Sequence, residues 1–137
     1  VAQVVSPSDD IPQGRRNEVV LVVEDEPRVR GFSLESLNDL GYTTLGASSA
    51  TEALRLIEQH QNITLLFTDV VMPGRNGRVL SEFLLRQKPG LKVIFMTGYS
   101  RNAIVHQGRL DRGVELLQKP VTQRALAQKI RSMLGAS

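Results

Sequence analysis

Three carboxylates, a hydroxyl and an amine stand directly behind short apolar runs of this 137-residue chain. Glu24 and Asp25 follow Val19–Val23, Asp69 follows residues 63–68, Thr97 follows 92–96, and Lys119 comes just after 114–117. Three carboxylates brought together repel one another, and each resists ionising unless a cation neutralises the group. An all-oxygen set of this kind suits magnesium, with manganese as the alternative. Magnesium prefers octahedral coordination, keeps several waters and is commonly held by one or two carboxylates plus phosphate oxygens. In that setting Asp69 can act as a nucleophile toward a phosphoryl donor. The product is an aspartyl phosphate whose oxygens are bound by the metal, the Thr97 hydroxyl and the Lys119 amine. Gly98 leaves room for a donor to approach in line with Asp69, and Gly74 and Gly77 allow a tight turn beside the acceptor. Taken singly, Glu24 and Asp25 would be helix-start acids favoured by the dipole, Lys119 a surface lysine and Thr97 a turn residue. Their shared position behind apolar runs gives them a common chemistry.

For these residues to meet, the runs before them must be neighbouring strands. Val19–Val23 is too uniformly apolar and β-branched for an edge, which predicts a central parallel strand buried on both faces. Pro27 then opens a helix with an apolar stripe of Val29, Phe32, Leu37 and Leu40 that Gly41 stops. Residues 42–47 read as a second strand, and Ser49 to Glu52 as a capping box opening a helix that turns Ala53, Leu56 and Ile57 inward. After the third strand, a loop with Pro73, Gly74 and Gly77 leads to a helix ending near Gln87. A fourth strand, a weaker helix over 102–110 diluted by Gly108, and a short fifth strand follow. Thr122 caps a last helix carrying Leu126, Ile130, Met133 and Leu134 on one face. This alternation predicts an α/β fold: an open, twisted, doubly wound parallel sheet with helices on both faces and ligands beyond the carboxyl ends of the strands.

Hydrophobic residues at 41% and charged residues at 23% fit one ordinary globular core. Lys+Arg 17 against Asp+Glu 14 gives +3, too small and scattered for direct nucleic-acid binding, and Arg15 and Arg16 beside Asp9, Asp10 and Glu18 make no basic patch. With Cys 0 there is no disulfide, thiolate zinc site or cysteine nucleophile. No apolar run nears the roughly 20 residues of a membrane span. Val1 to Asp10 lack the basic start and apolar stretch of a signal peptide. The expectation is a soluble cytoplasmic domain over 19–135, preceded by a flexible tail or linker over 1–18 that mixes Ser, Pro, Gly and charge without a period. His60 and His106 have no metal-ligand spacing and read as surface or packing residues.

From about Val19 to Leu134 the chain resembles the receiver domains of two-component response regulators. The resemblance rests on the acidic pair after the first strand, Asp69 with Pro73 four residues on and Gly77 eight residues on, Thr97, and the Lys119, Pro120 pair, all in family order. It implies a flavodoxin-like (βα)5 fold with strand order 2-1-3-4-5. It also implies that Asp69 is the phosphoacceptor, that Asp25 and Asp69 bind Mg2+ directly with the Val71 backbone carbonyl, and that Glu24 holds it through water. A cis peptide before Pro120 would orient Lys119. A domain of this family catalyses only its own phosphorylation and dephosphorylation. The donor would be a histidine kinase or a histidine phosphotransfer domain. Output would pass to a downstream protein through the face made by the fourth predicted helix, the fifth strand and the last helix, and a homodimer stays open. The stretch from Thr97 to Asp111 is similar to the C-terminal receivers of bacterial hybrid sensor histidine kinases.

Two positions depart from the family pattern. Leu116 stands three residues before Lys119, where receivers often carry a switching aromatic; Tyr99 either substitutes by folding over the site or is an exposed loop residue. Val71 brings no polar side chain to position an attacking water, which implies slow self-dephosphorylation. Leu116 also keeps open a phosphorylation-independent interaction module. A phosphatase with an aspartate nucleophile would want a second Asp two residues after the first, where Val71 stands.

Overall fold

Continuous apolar β-branched runs suit strands covered on both faces, and all five residues of β1 (Val19–Val23) are buried. The computed structural model describes residues 11–69, 86, 90–97, 114–118 and 121–135. After β1 come α1 (Pro27–Leu40), β2 (Thr43–Ala47), α2 (Ala50–Gln59), β3 (Ile63–Asp69), β4 (Lys92–Thr97), β5 (Val114–Gln118) and α3 (Gln123–Leu134). The strands form one parallel sheet in the order β2-β1-β3-β4-β5, the flavodoxin-like order expected. The chain starts in the middle, moves out to β2 and returns past β1 to β3. The strand order therefore reverses between β1 and β3, and in open α/β sheets that reversal opens the crevice where ligands bind. The predicted helices before and after β4 lie outside the described residues, apart from Arg86, which is helical. Among the described residues no helix is long and apolar enough to cross a membrane.

Side chains alternate across the sheet and make two cores. Val19, Leu21 and Val23 pack with Val93, Phe95 and the Ala53 and Ile57 side of α2. Val20 and Val22 pack with Phe67, Ile94, Leu37 and Leu40 of α1, and Leu126 and Ile130 of α3. One irregularity interrupts the alternation: Val19 pairs with Ile63 but Val20 with Leu65, so Thr64 is an extra residue in β3. Its hydroxyl accepts from the Val19 N–H at 2.8 Å and donates to the Val19 carbonyl at 2.9 Å, replacing the ladder bonds lost at the bulge.

Helix ends follow the sequence closely. Pro27 sits in the first turn of α1, the Glu26 side chain accepts from the Arg28 N–H, and Gly41 closes the helix at φ 105, a left-handed conformation that glycine adopts without strain. Thr122 caps α3 by accepting from the Ala125 N–H at 3.1 Å. Two details differ from expectation. Phe32 is not in the buried stripe of α1 but 55% exposed; the inner face is Ser33, Ser36, Leu37 and Leu40, because the helical repeat from Leu37 and Leu40 runs back through two small residues. In α2 the Ser49 hydroxyl accepts from the Glu52 N–H as a cap should, yet the Glu52 carboxylate reaches one residue further, to the Ser48 N–H at 2.7 Å and its hydroxyl at 3.0 Å. Those two bonds and the nearby Arg30 and Arg55 charges hold the Glu52 carboxyl below its usual range.

Of the residues expected as a tail, 11–18 are described, and they lie across the amino-terminal end of the sheet. The Gly14 N–H donates to the Leu40 carbonyl at 2.6 Å, the Thr43 hydroxyl to the Arg16 carbonyl at 2.7 Å, and Ile11 packs on the α1 and α3 side of the core. Gly14 lies flat on the Tyr42 ring, where a Cβ would stand 2.5 Å from ring carbons. Beside it Arg131 of α3 forks onto Glu18 at 2.6 and 3.0 Å and also donates to the Gln13 carbonyl at 3.2 Å.

Candidate functional site

The opposite end of the sheet is built differently. Asp69 is the last residue of β3, and Glu24 and Asp25 directly follow β1, whose Val23 is aligned with Thr68. Adjacent parallel strands thus deliver three carboxylates side by side at the reversal of strand order. One carboxylate oxygen from each of Glu24, Asp25 and Asp69 lies within 4.8 Å of the others. Glu24 is 1% exposed and Asp69 7%, whereas Asp25 is open to solvent.

Glu24 is held from several directions. Its N–H donates to the Ala47 carbonyl of β2 at 3.0 Å, its Oε2 accepts from the Glu26 N–H at 3.0 Å, and its carbonyl accepts from Arg30 Nη1 at 2.7 Å. The buried Thr68 hydroxyl donates to the Asp69 carbonyl at 3.0 Å. Buried carboxylates so close together carry a desolvation and repulsion cost that a hard divalent cation relieves. The donors are all oxygens, one side of the corner is open through Asp25, and the arrangement fits such a cation.

The remaining expected residues fall into two groups. Thr97 ends β4 one residue past Met96, which is aligned with Asp69, and faces Gln118 of β5 in register. The backbone of Thr97 therefore reaches the acidic end of the sheet, and β5 ends there immediately before Lys119. Leu116 lies lower, aligned with Phe95, half-buried against the α2 side of the core. The Thr97 side chain, Val71, Gly98, Tyr99, Lys119 and Pro120 lie outside the described residues. Arg30 was not singled out by the sequence. The available signal was an arginine on the first turns of a helix, five residues after Asp25.

Comparison with known proteins agrees with this geometry. The family profile described as the response regulator receiver domain matches residues 20–131. The chain is 35% identical to the sensor kinase CckA of Brucella abortus over 116 residues, which cover 84% of this chain and 12% of that kinase. It is 30% identical to the response regulator receiver protein CpdR of the same organism over 118 residues, covering 86% of this chain and 98% of that protein. Among solved structures it is similar to the response regulator TrrA of Thermotoga maritima in complex with Mg(2+)-BeF. The TM-score is 0.73 at 28% identity, with 85% of this chain and 98% of that one covered.

Proposed function

The chain belongs to the response regulator receiver domain family, and from that membership we propose that Asp69 is its phosphoacceptor, served by a magnesium site on Glu24, Asp25, Asp69 and the Val71 carbonyl. Receiver domains are signalling domains of two-component systems that bind Mg2+ at an acidic pocket and interact with histidine kinases or phosphotransfer proteins. The observation that carries the reading is the meeting of Glu24, Asp25 and Asp69 within 4.8 Å at the carboxyl ends of β1 and β3. The likeness to TrrA, whose structure is a Mg(2+)-BeF complex, supports it.

The Asp69 carboxylate attacks the phosphorus of a phosphohistidine in line with the leaving imidazole. The new bond joins Asp69 oxygen to phosphorus, the phosphorus–nitrogen bond breaks, and the electron pair stays with the imidazole. Magnesium, when bound, supplies neutralisation of the charge gathered on the carboxylates and phosphoryl oxygens. Glu24 and Asp25 orient that end of the site, the Thr97 hydroxyl and Lys119 bind phosphoryl oxygens, and the peptide before Pro120 sets the direction of Lys119. Gly98 leaves the approach open. The added charge draws Thr97 and Lys119 inward, with Tyr99 and Leu116 in the responding region, and changes the face of the fourth predicted helix, β5 and the last helix toward a protein partner. The likeness to CckA supports a place in a hybrid histidine kinase, and the likeness to CpdR over 98% of its length equally supports a freestanding receiver.

Intact mass after incubation with a small phosphoryl donor and magnesium tests the reading. One added phosphoryl group is expected, lost in Asp69→Asn and in the presence of a chelator. Continued labelling of Asp69→Asn at another residue would overturn the assignment of the acceptor.

A further inference from the structure

Arg30 has no part in the phosphoryl chemistry above, yet its side chain ends on the acidic corner. It sits early in α1, its own N–H donating to the Glu26 carbonyl at 2.9 Å. From there the side chain runs beside Gly46 of β2, where a Cβ would stand 3.7 Å from Arg30 Cδ and 3.0 Å from Leu34 Cδ1. Nη1 then donates to the Glu24 carbonyl at 2.7 Å. That carbonyl belongs to the peptide joining Glu24 to Asp25, so the guanidinium bond acts on the peptide from which both acids project. The N–H of Glu24 is fixed on Ala47 of β2 and its carboxylate accepts from the Glu26 N–H, and between these two ties Arg30 holds the carbonyl of the connecting peptide.

We propose that Arg30 is a positioning residue of the divalent-cation site: it clamps the Glu24–Asp25 peptide so that both carboxylates meet Asp69 in the arrangement a small octahedral ion requires. This rests on the reading of the acidic corner as a cation site. The charge of Arg30 acts in the opposite sense, because a guanidinium repels any dication nearby. That repulsion is the same for Mg2+ and Ca2+. The clamp is not, since magnesium demands near-ideal octahedral geometry while calcium accepts variable coordination and longer bonds.

The ratio of the two affinities therefore isolates the positioning role. Calorimetric titration of the metal-free chain with Mg2+ and with Ca2+ is compared for wild type, Arg30→Met and Arg30→Lys. In Arg30→Met the Mg2+ to Ca2+ affinity ratio falls about tenfold, and in Arg30→Lys it recovers in part, because an ammonium reaches a carbonyl without the planar fork. General loosening of the fold would weaken both ions alike and leave the ratio in place. A ratio in Arg30→Met within about twofold of wild type overturns the proposal. Should Arg30→Met not fold by circular dichroism, Arg30→Lys and Arg30→Gln decide by the same ratio. Wild type binding neither ion would overturn the cation-site reading together with the inference, whereas normal wild-type binding with an unmoved ratio overturns the inference alone.

Discussion

The two ends of the sheet handle charge in opposite ways. At the amino-terminal end Glu18 and Arg131 meet as a two-pronged ion pair, their side chains 13% and 12% exposed, under a cover of Gln13 and Gly14. Opposite charges there satisfy one another: the guanidinium holds the Glu18 carboxyl below its usual range, and the carboxylate raises Arg131. At the carboxyl-terminal end three like charges gather, two of them buried. The same strands, β1 and β3, lead to both ends. The two ends differ in whether charges of opposite sign pair or carboxylates of like sign gather.

Substitutions that treat the two ends alike would erase this contrast, and the largest effect is expected at the closed end. Arg131→Met keeps the stem of the side chain but leaves the partly buried Glu18 carboxylate with the Arg15 N–H in place of an ion pair, and should cost about 3 kcal/mol in urea unfolding at neutral pH. Its magnesium affinity should match wild type. Gly14→Ala places a methyl group 2.5 Å from the Tyr42 ring, so either the ring or the covering segment must move. A loss of about 2 kcal/mol, read from the thermal midpoint, is expected. The deficit of Arg131→Met should itself depend on pH. Because the folded Glu18 carboxyl lies below its ordinary value of 4.5, its contribution is complete above that value and fades as pH falls through the lowered one. Urea midpoints of wild type and variant should converge on acidification; a constant gap would mean that the Glu18 charge has no share in the deficit. The smallest stability effect belongs to the open end. Asp25→Ala should change unfolding free energy by under about 0.5 kcal/mol, toward a gain, since it relieves like-charge repulsion. Magnesium affinity should nevertheless fall at least about tenfold, and a variant that loses stability but keeps its magnesium would reverse the roles of the two ends.

How much of this was legible in the sequence follows from how local each signal is. A run such as Val19–Val23 and a stop such as Gly41 are decided by their own residues, and the strand order followed from the residues that match a known family. The acidic corner was legible because the acids end or follow short apolar strands, and strand ends are set locally. Phe32 was misplaced because two serines form the inner face of α1, where apolar periodicity gives no warning. The docking of residues 11–18 was not legible at all: a stretch of Pro, Gly and charge reads as a tail, and only the distant Leu40, Tyr42 and Arg131 supply partners. Arg30 was overlooked for the same reason, since its importance lies in the carbonyl it reaches rather than in its own pattern.

The extra residue in β3 fixes where this chain can gain or lose length. Ile63 already pairs with Val19 and Leu65 with Val20, so deleting Thr64 would join two residues whose pairings are consecutive and leave Asp69 aligned with Met96. A deletion anywhere from Leu65 to Thr68 would instead slip the strand by one and turn Asp69 to the opposite face. From Thr64 to Thr68, only the removal of Thr64 keeps the register, and it lies at the end farthest from the acidic corner.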